Sequence, residues 1–149
     1  MKKKLSTTIL SILLLTTFSC CQSDDSIKTD KEYLIGIWKV KKIKTYGDLN
    51  GELVIFYERI FDNEPYNKLT FYSNQNVTYR NLDLIEMING KWTLNGKNLK
   101  TDLKLDLPIT TGFGTKYFFP ESDIIKINDT ELILKSPIGN LYTETFFEK

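Results

Sequence analysis

From residue 31 onward, apolar and polar residues alternate with a period of two in one short run after another, the pattern of half-buried β-strands. The cleanest run places Leu99, Thr101, Leu103, Leu105 and Leu107 on one face and Lys100, Asp102, Lys104 and Asp106 on the other. Leu69 and Phe71 share a face in Lys68–Ser73, Val77 and Tyr79 in Val77–Leu82, and Gly90, Trp92 and Leu94 in Ile88–Leu94. Asp123–Asn128, Glu131–Ser136 and Leu141–Phe147 add three more strands. A long run from Tyr33 to Tyr46 opens the series, with Trp38 and Val40 pointing one way and Lys39 and Lys41 the other. Its alternation slips by one before Ile43, which predicts a β-bulge near Lys42.

Turn residues punctuate these runs. Gly47-Asp48-Leu49-Asn50-Gly51 predicts a loop, Asn74-Gln75-Asn76 and Asn128-Asp129-Thr130 predict turns, and Pro108–Gly114 predicts a longer loop. Asn95-Gly96 is the strongest hairpin signal, because both residues tolerate the positive φ of a type I′ turn. Pro137-Ile138-Gly139-Asn140 has the proline and glycine spacing of a type II turn. Leu53–Phe61 is apolar, β-branched and aromatic, and its periodicity fits a strand or a short helical lid equally well. The pattern therefore predicts an all-β domain of eight or nine short antiparallel strands in up-and-down order. A meander of that size closes into a single barrel of about eight strands, since closure removes both exposed edges.

The first nineteen residues do not follow the pattern. Lys2, Lys3 and Lys4 precede an uncharged apolar run, Leu5–Phe18, which is shorter than the roughly 20 apolar residues of a membrane span and fits a signal-peptide core. The run ends at Thr17-Phe18-Ser19-Cys20, which resembles the lipobox of bacterial lipoproteins, with Phe18 where a small residue is usual. The resemblance implies cleavage before Cys20 and acylation of that cysteine, with palmitate among the attached chains. An ordinary secretory signal is the alternative. The division expected is 1–19 signal peptide, 20–30 acylated N-terminus and flexible tether, and 31–149 β-domain. Asp24-Asp25 resembles the surface-export signal of Bacteroidetes lipoproteins, which implies an outer-membrane protein of the cell envelope, facing the surface or the periplasm. Asp25-Ser26-Ile27 resembles a short O-glycosylation acceptor, or is plain linker.

Composition narrows the chemistry. Both cysteines lie at the signal junction, so the domain has no disulfide framework. The 149 residues contain no histidine, which argues against zinc, copper and haem sites of ordinary kind and against His-based triads. The signal holds three of the 20 basic residues and none of the 19 acidic ones, leaving 17 against 19 in the remainder. That balance gives no electrostatic reason to expect a nucleic-acid partner.

The ordered motifs of the domain resemble lipocalins. Gly36-Ile37-Trp38 is similar to their Gly-x-Trp entry strand, followed by Leu69–Asn74 with Val77–Tyr79, by Gly90–Leu94 with Leu99, and by the terminal Glu131–Leu134. Together they resemble the small lipocalin-like lipoproteins of Bacteroidetes. The resemblance implies that Trp38 and Gly36 are structural, closing one end of a barrel whose other end admits a small apolar ligand. Two features depart from it: the only arginines, Arg59 and Arg80, are far from the C-terminus, where lipocalins place an arginine over the tryptophan, and the central Thr-Asp-Tyr-type motif is missing.

No catalytic constellation emerges, and the chain is expected not to be an enzyme and to need no cofactor or metal. Asp102 and Asp106 alternate with lysines and look like solvated strand charges, Gly112-Phe113-Gly114 lacks a following phosphate-binding helix, and Ser73, Ser122 and Ser136 have no histidine partner. Phe56, Tyr57 and Phe61, and Tyr117, Phe118 and Phe119, are candidates for a ligand-binding mouth or for the packing of a filled barrel. Two functions follow: a membrane-anchored monomeric binder of a small hydrophobic or amphipathic molecule, or a filled β-domain that binds a protein or glycan at the cell surface.

Overall fold

The computed structural model describes residues 28–61, 67–80, 87–106 and 115–149. One short helix, α1 (Asp30–Leu34), precedes β1 (Gly36–Leu49), β2 (Glu52–Ile60), β3 (Lys68–Phe71), β4 (Asn76–Arg80), β5 (Ile88–Asn95) and β6 (Asn98–Thr101). β7 (Lys104–Asp106), β8 (Thr115–Tyr117), β9 (Glu121–Ile127), β10 (Glu131–Ile138) and β11 (Leu141–Glu148) follow. All pairings are antiparallel, and β11 returns to pair with β1, closing an eight-stranded circuit of β1, β3, β4, β5, β6, β9, β10 and β11. β2 and β3 lie end to end along one edge of β1: β3 faces Gly36–Lys39 and β2 faces Lys42–Leu49. β7 and β8 extend the β6 and β9 arms as a separate ribbon.

Alternation places the core inside this circuit. Trp38, Leu69, Val77, Leu99, Leu132 and Leu134 are fully buried, with Phe71 and Trp92 meeting edge to face at 5.6 Å between centroids. Both indoles are satisfied: Trp38 Nε1 donates to the Leu34 carbonyl at 2.7 Å and Trp92 Nε1 to the Tyr72 carbonyl at 3.1 Å. The bulge predicted near Lys42 is present, with the β1–β11 register shifting between Val40 and Lys42.

Several boundaries differ from the sequence pattern. Tyr33 and Leu34 belong to a helix rather than to the first strand, because Thr29 and Glu32 form a capping box: Glu32 accepts the Thr29 amide at 2.6 Å and the Thr29 hydroxyl accepts the Glu32 amide at 3.4 Å. The strand then runs on to Leu49, and the supposed 47–51 loop shrinks to a two-residue turn. Asn50 (φ 59°) and Gly51 (φ 86°) both take the positive φ of a type I′ turn, and Asp48 accepts the Gly51 amide at 2.9 Å. Asn95-Gly96 does not form that turn. Leu94 faces Leu99 and Asn95 faces Asn98, so Gly96 and Lys97 are the central residues, and Gly96 alone has positive φ. That sign pattern is type II′, which needs glycine only at its first central position.

The same shift moves the last hairpin. Pro137 sits within β10 opposite Tyr142, and Gly139 (φ 58°) and Asn140 make the turn. The proline is tolerated because β9 ends its pairing with β10 at Lys135, leaving that edge without a ladder bond to lose. Leu53–Phe61 resolves as strand, its residues 52–60 forming β2. The strand expected over 99–107 is interrupted between β6 and β7, where Asp102 turns its carboxylate onto the Lys91 amide above Gly90. A side chain at position 90 would collide with it, so the pair explains both the break and the glycine. Pro108–Gly114 lies outside the described residues.

Candidate functional site

Strand direction sorts the connections to two ends. α1, the 72–75, 96–97 and 128–130 turns and the C-terminus meet at one end. The Asn50-Gly51 tip, the Gly139-Asn140 turn and the far ends of β7 and β8 lie at the other. The first end is sealed. Trp38 plugs it beneath α1, and Lys149 lies across the indole with Nζ 4.7 Å from the ring centroid while donating to the Tyr33 carbonyl at 2.7 Å. Gly36, at φ 135°, leaves room for that lysine, since a Cβ there would stand 2.9 Å from Lys149 Cε. Burial lowers the lysine's pKa, with Asp129 opposing the shift. A cation therefore does cover the tryptophan, as in the lipocalin pattern, although it is a C-terminal lysine and not an arginine.

The other end has a different lining. On β1, Ile43, Thr45 and Gly47 continue the inward face, opposite Thr145 and Thr143 of β11 and Tyr57 and Val54 of β2. Thr143, Thr145 and Ser122 are buried; the Thr143 hydroxyl meets that of Thr45 at 3.3 Å and the Ser122 hydroxyl that of Ser136 at 2.6 Å. The inward face thus carries Trp38, Val40 and Phe147 near the sealed end and adds buried hydroxyls, those of Thr143, Thr145 and Ser122, nearer the other. Burying hydroxyls is tolerable when they bond other side chains, backbone groups or an occupant.

Of the residues singled out from sequence, Phe56 and Tyr57 are the pair left open. Their side chains are 54% and 50% exposed. The β1–β2 register slips between Thr45 and Tyr46, which leaves Phe56 as the extra residue of a bulge. Its ring leans over Gly47 towards Leu141, in space that only a glycine leaves free. Phe61 is elsewhere, buried in the core at 6% exposure with the Arg59 guanidinium 4.6 Å from its ring. Phe118 and Phe119 pack on Tyr79 at 5.1 and 5.5 Å, and Phe119 reaches Phe147 at 5.9 Å. The Thr101 hydroxyl is within 2.8 Å of the Phe118 carbonyl and 2.9 Å of the Phe119 carbonyl, pinning this corner. Tyr117 lies in β8, its side chain outside the described residues, as is Cys20.

The sequence pattern placed Gly47 in a loop and Ser122 and Ser136 among serines without a histidine partner, and it did not single out Lys149 or the inward threonines. Alternation carries the last group, since Thr143 and Thr145 fall on the Phe147 face of β11. Outside the mouth, Tyr46 stacks on Tyr142 at 5.0 Å, and burial with Glu144 nearby raises the Tyr46 pKa. Among the described residues no three His, Cys, Asp or Glu side chains converge on a possible metal, and no helix is long and apolar enough to cross a membrane.

No protein-family model matches the chain, and no curated protein matches it. The barrel is similar to the crystal structure of a lipocalin-like protein from Bacteroides uniformis, with a TM-score of 0.50 and 17% identity over 78% of this chain and 98% of that one. The fold is lipocalin-like. An uncharacterized protein from Bacteroides eggerthii superposes with a TM-score of 0.47 at 14% identity over the same shares.

Proposed function

We propose that the chain is an exported lipoprotein whose lipocalin-like barrel binds a small hydrophobic or amphipathic ligand at the end opposite Trp38. The observation that carries this reading is the pairing of two half-exposed aromatics, Phe56 and Tyr57, with an inward face that carries the hydroxyls of Thr45, Thr143 and Thr145 beside them and apolar side chains elsewhere. Such a lining suits a molecule with an apolar body and a few polar groups. Residues 1–19 act as the signal, Cys20 carries the acyl chains, and the protein resides at the outer membrane. The binding reading is tested by native mass spectrometry of the chain from Ser23 onward, purified gently. A bound mass that disappears on denaturation supports it and identifies the ligand class; a bare mass after exposure to total lipid extract sinks it. Loss of membrane retention in Cys20→Ala tests the anchor separately.

A second reading, a filled β-domain acting as a non-enzymatic interaction module, is favoured by one observation. Phe61, Phe118 and Phe119, three of the six candidate aromatics, are occupied in the packing around Tyr79, Phe147 and Arg59.

A further inference from the structure

The outer face of β4 and β5 carries a groove of about 660 Å³ that the barrel interior does not share. We infer that it is a carbohydrate-binding site. Val77 and Tyr79 point inward, so Asn76 and Thr78 point out. Across the ladder they face Lys91 and Asn89 respectively, which makes a square of four polar side chains. Tyr72, 44% exposed, and Met87, 53% exposed, also line the groove and supply its apolar surface.

The square is held in place from behind. Asn74 accepts the Asn76 amide at 3.1 Å, fixing the turn beneath it. Lys91 donates its ammonium to the Asn76 side chain, and its backbone amide is taken by Asp102. The Tyr72 carbonyl accepts the buried Trp92 indole, and the Tyr72 amide donates to the Asn76 carbonyl at 2.9 Å. The groove therefore needs little ordering before a ligand arrives, which removes part of the usual entropic cost of binding.

Its chemistry selects the ligand class. Asn74 and Asn76 each present two amide donors, their oxygens already accepting the Asn76 amide and the Lys91 ammonium, Asn89 presents its oxygen and Thr78 a hydroxyl, and among the described residues no carboxylate lines the groove. Side-chain amides of this kind match adjacent sugar hydroxyls, and the Tyr72 ring matches the C–H face of a pyranose. A phosphate would want several cations, whereas among the described residues lining the groove Lys91 is the one cation, with one donor already engaged. A peptide adding as a strand is shut out, because β4 is paired on both edges by β3 and β5, and β5 by β4 and β6. A neutral or singly anionic oligosaccharide remains. This site is independent of any ligand at the mouth.

The test is an amide chemical-shift titration of the mature chain with maltotriose, chitotriose, mannotriose and the singly anionic 3′-sialyllactose. Saturable shifts centred on Asn76, Thr78, Asn89 and Lys91 with at least one of them are expected. Tyr72→Ala and Asn89→Ala, both at exposed positions, should each weaken that binding at least tenfold while leaving the remaining spectrum in place. Absence of saturable shifts with all four sugars overturns the proposal. Shifts centred on Phe56 and Tyr57, or groove shifts unaffected by both substitutions, overturn it equally.

Discussion

At the scale of single residues, the two ends of the barrel depend on opposite uses of one side chain and of none. Lys149 seals Trp38 through ring contact and one hydrogen bond to a carbonyl. Lys149→Ala should therefore cost about 1 kcal/mol, the sum of a partly exposed cation–π contact and a modest net hydrogen bond. Lys149→Arg should recover most of it. Equal denaturation midpoints for wild type and Lys149→Ala would refute the sealing role. Gly47 acts by having no side chain. Gly47→Ala puts a methyl group where the Phe56 ring and Leu141 now meet, and the ring, being the freer of the two, should swing out. Stability should fall by about 1 kcal/mol, the low end of overpacking costs because the displaced ring is exposed, whereas any ligand held at that end should be lost or weakened about tenfold. Unchanged ligand retention by native mass spectrometry would separate Phe56 from the site.

At the scale of elements, strand identity was legible wherever one face is buried, because a period of two survives even a break. Leu99, Thr101, Leu103 and Leu105 stay on one side although Asp102 interrupts the ladder between β6 and β7. Element ends were less legible, since they are decided by partners remote in sequence. Asn-Gly marks a type I′ turn at 50–51 and not at 95–96, because the Trp92–Thr101 register fixes which residues are left over at the tip. The Thr29…Glu32 capping box was legible in principle, yet it was masked by the apolar run that follows it. The mouth was half legible. Phe56 and Tyr57 stood out as aromatics, whereas the hydroxyl lining and Lys149 matter only through contacts across 98 and 116 residues.

The N-terminal latch adds an acid-sensitive element. Hydrogen bonds from the Thr29 amide and hydroxyl lower the pKa of Glu32, and the Lys28 ammonium lowers that of Asp129. Both folded pKa values lie below their unfolded ones. Their contributions are thus complete above the ordinary carboxylate range of about 4 and are lost as pH falls through the folded values. α1 supplies the acceptor of the Trp38 indole, so acidification from about pH 6 to about pH 3 should lower the amide protection factors in α1, relative to the intrinsic exchange rate at each pH, and broaden the Trp38 Nε1 signal before the barrel itself unfolds. In Glu32→Gln combined with Asp129→Asn the transition should vanish, the helix being looser at every pH. Retention of the same pH profile in that variant would show that the latch is not the titrating element.

At the scale of the whole molecule, the latch also sets which way the barrel faces. Lys28 is tied to Asp129 at the sealed end, so the chain leaves the barrel beside Trp38. If Cys20 is acylated, the eight residues from it to Lys28 reach about 28 Å at full extension. The 14-residue β1 spans about 43 Å along its length, or about 33 Å along the axis at usual barrel tilt. An upright barrel therefore points Phe56 and Tyr57 away from the bilayer that holds its anchor. The opposing force is the exposed Leu49, Leu53 and Ile55 of the β1–β2 hairpin, which would gain by lying in the lipid interface. Asp48 and Glu52 flank the hairpin tip, and anionic groups at such a position disfavour insertion. The upright arrangement should prevail. In acylated protein on vesicles, a fluorophore at Thr130→Cys should be quenched by spin-labelled lipid more strongly than one at Leu53→Cys, each in a Cys21→Ser background. Stronger quenching at position 53 would lay the barrel on its side with its mouth in the membrane. The two outcomes assign the origin of any ligand bound at that end: an upright barrel would receive it from the aqueous side or from a facing protein, whereas a recumbent one would draw it from its own bilayer.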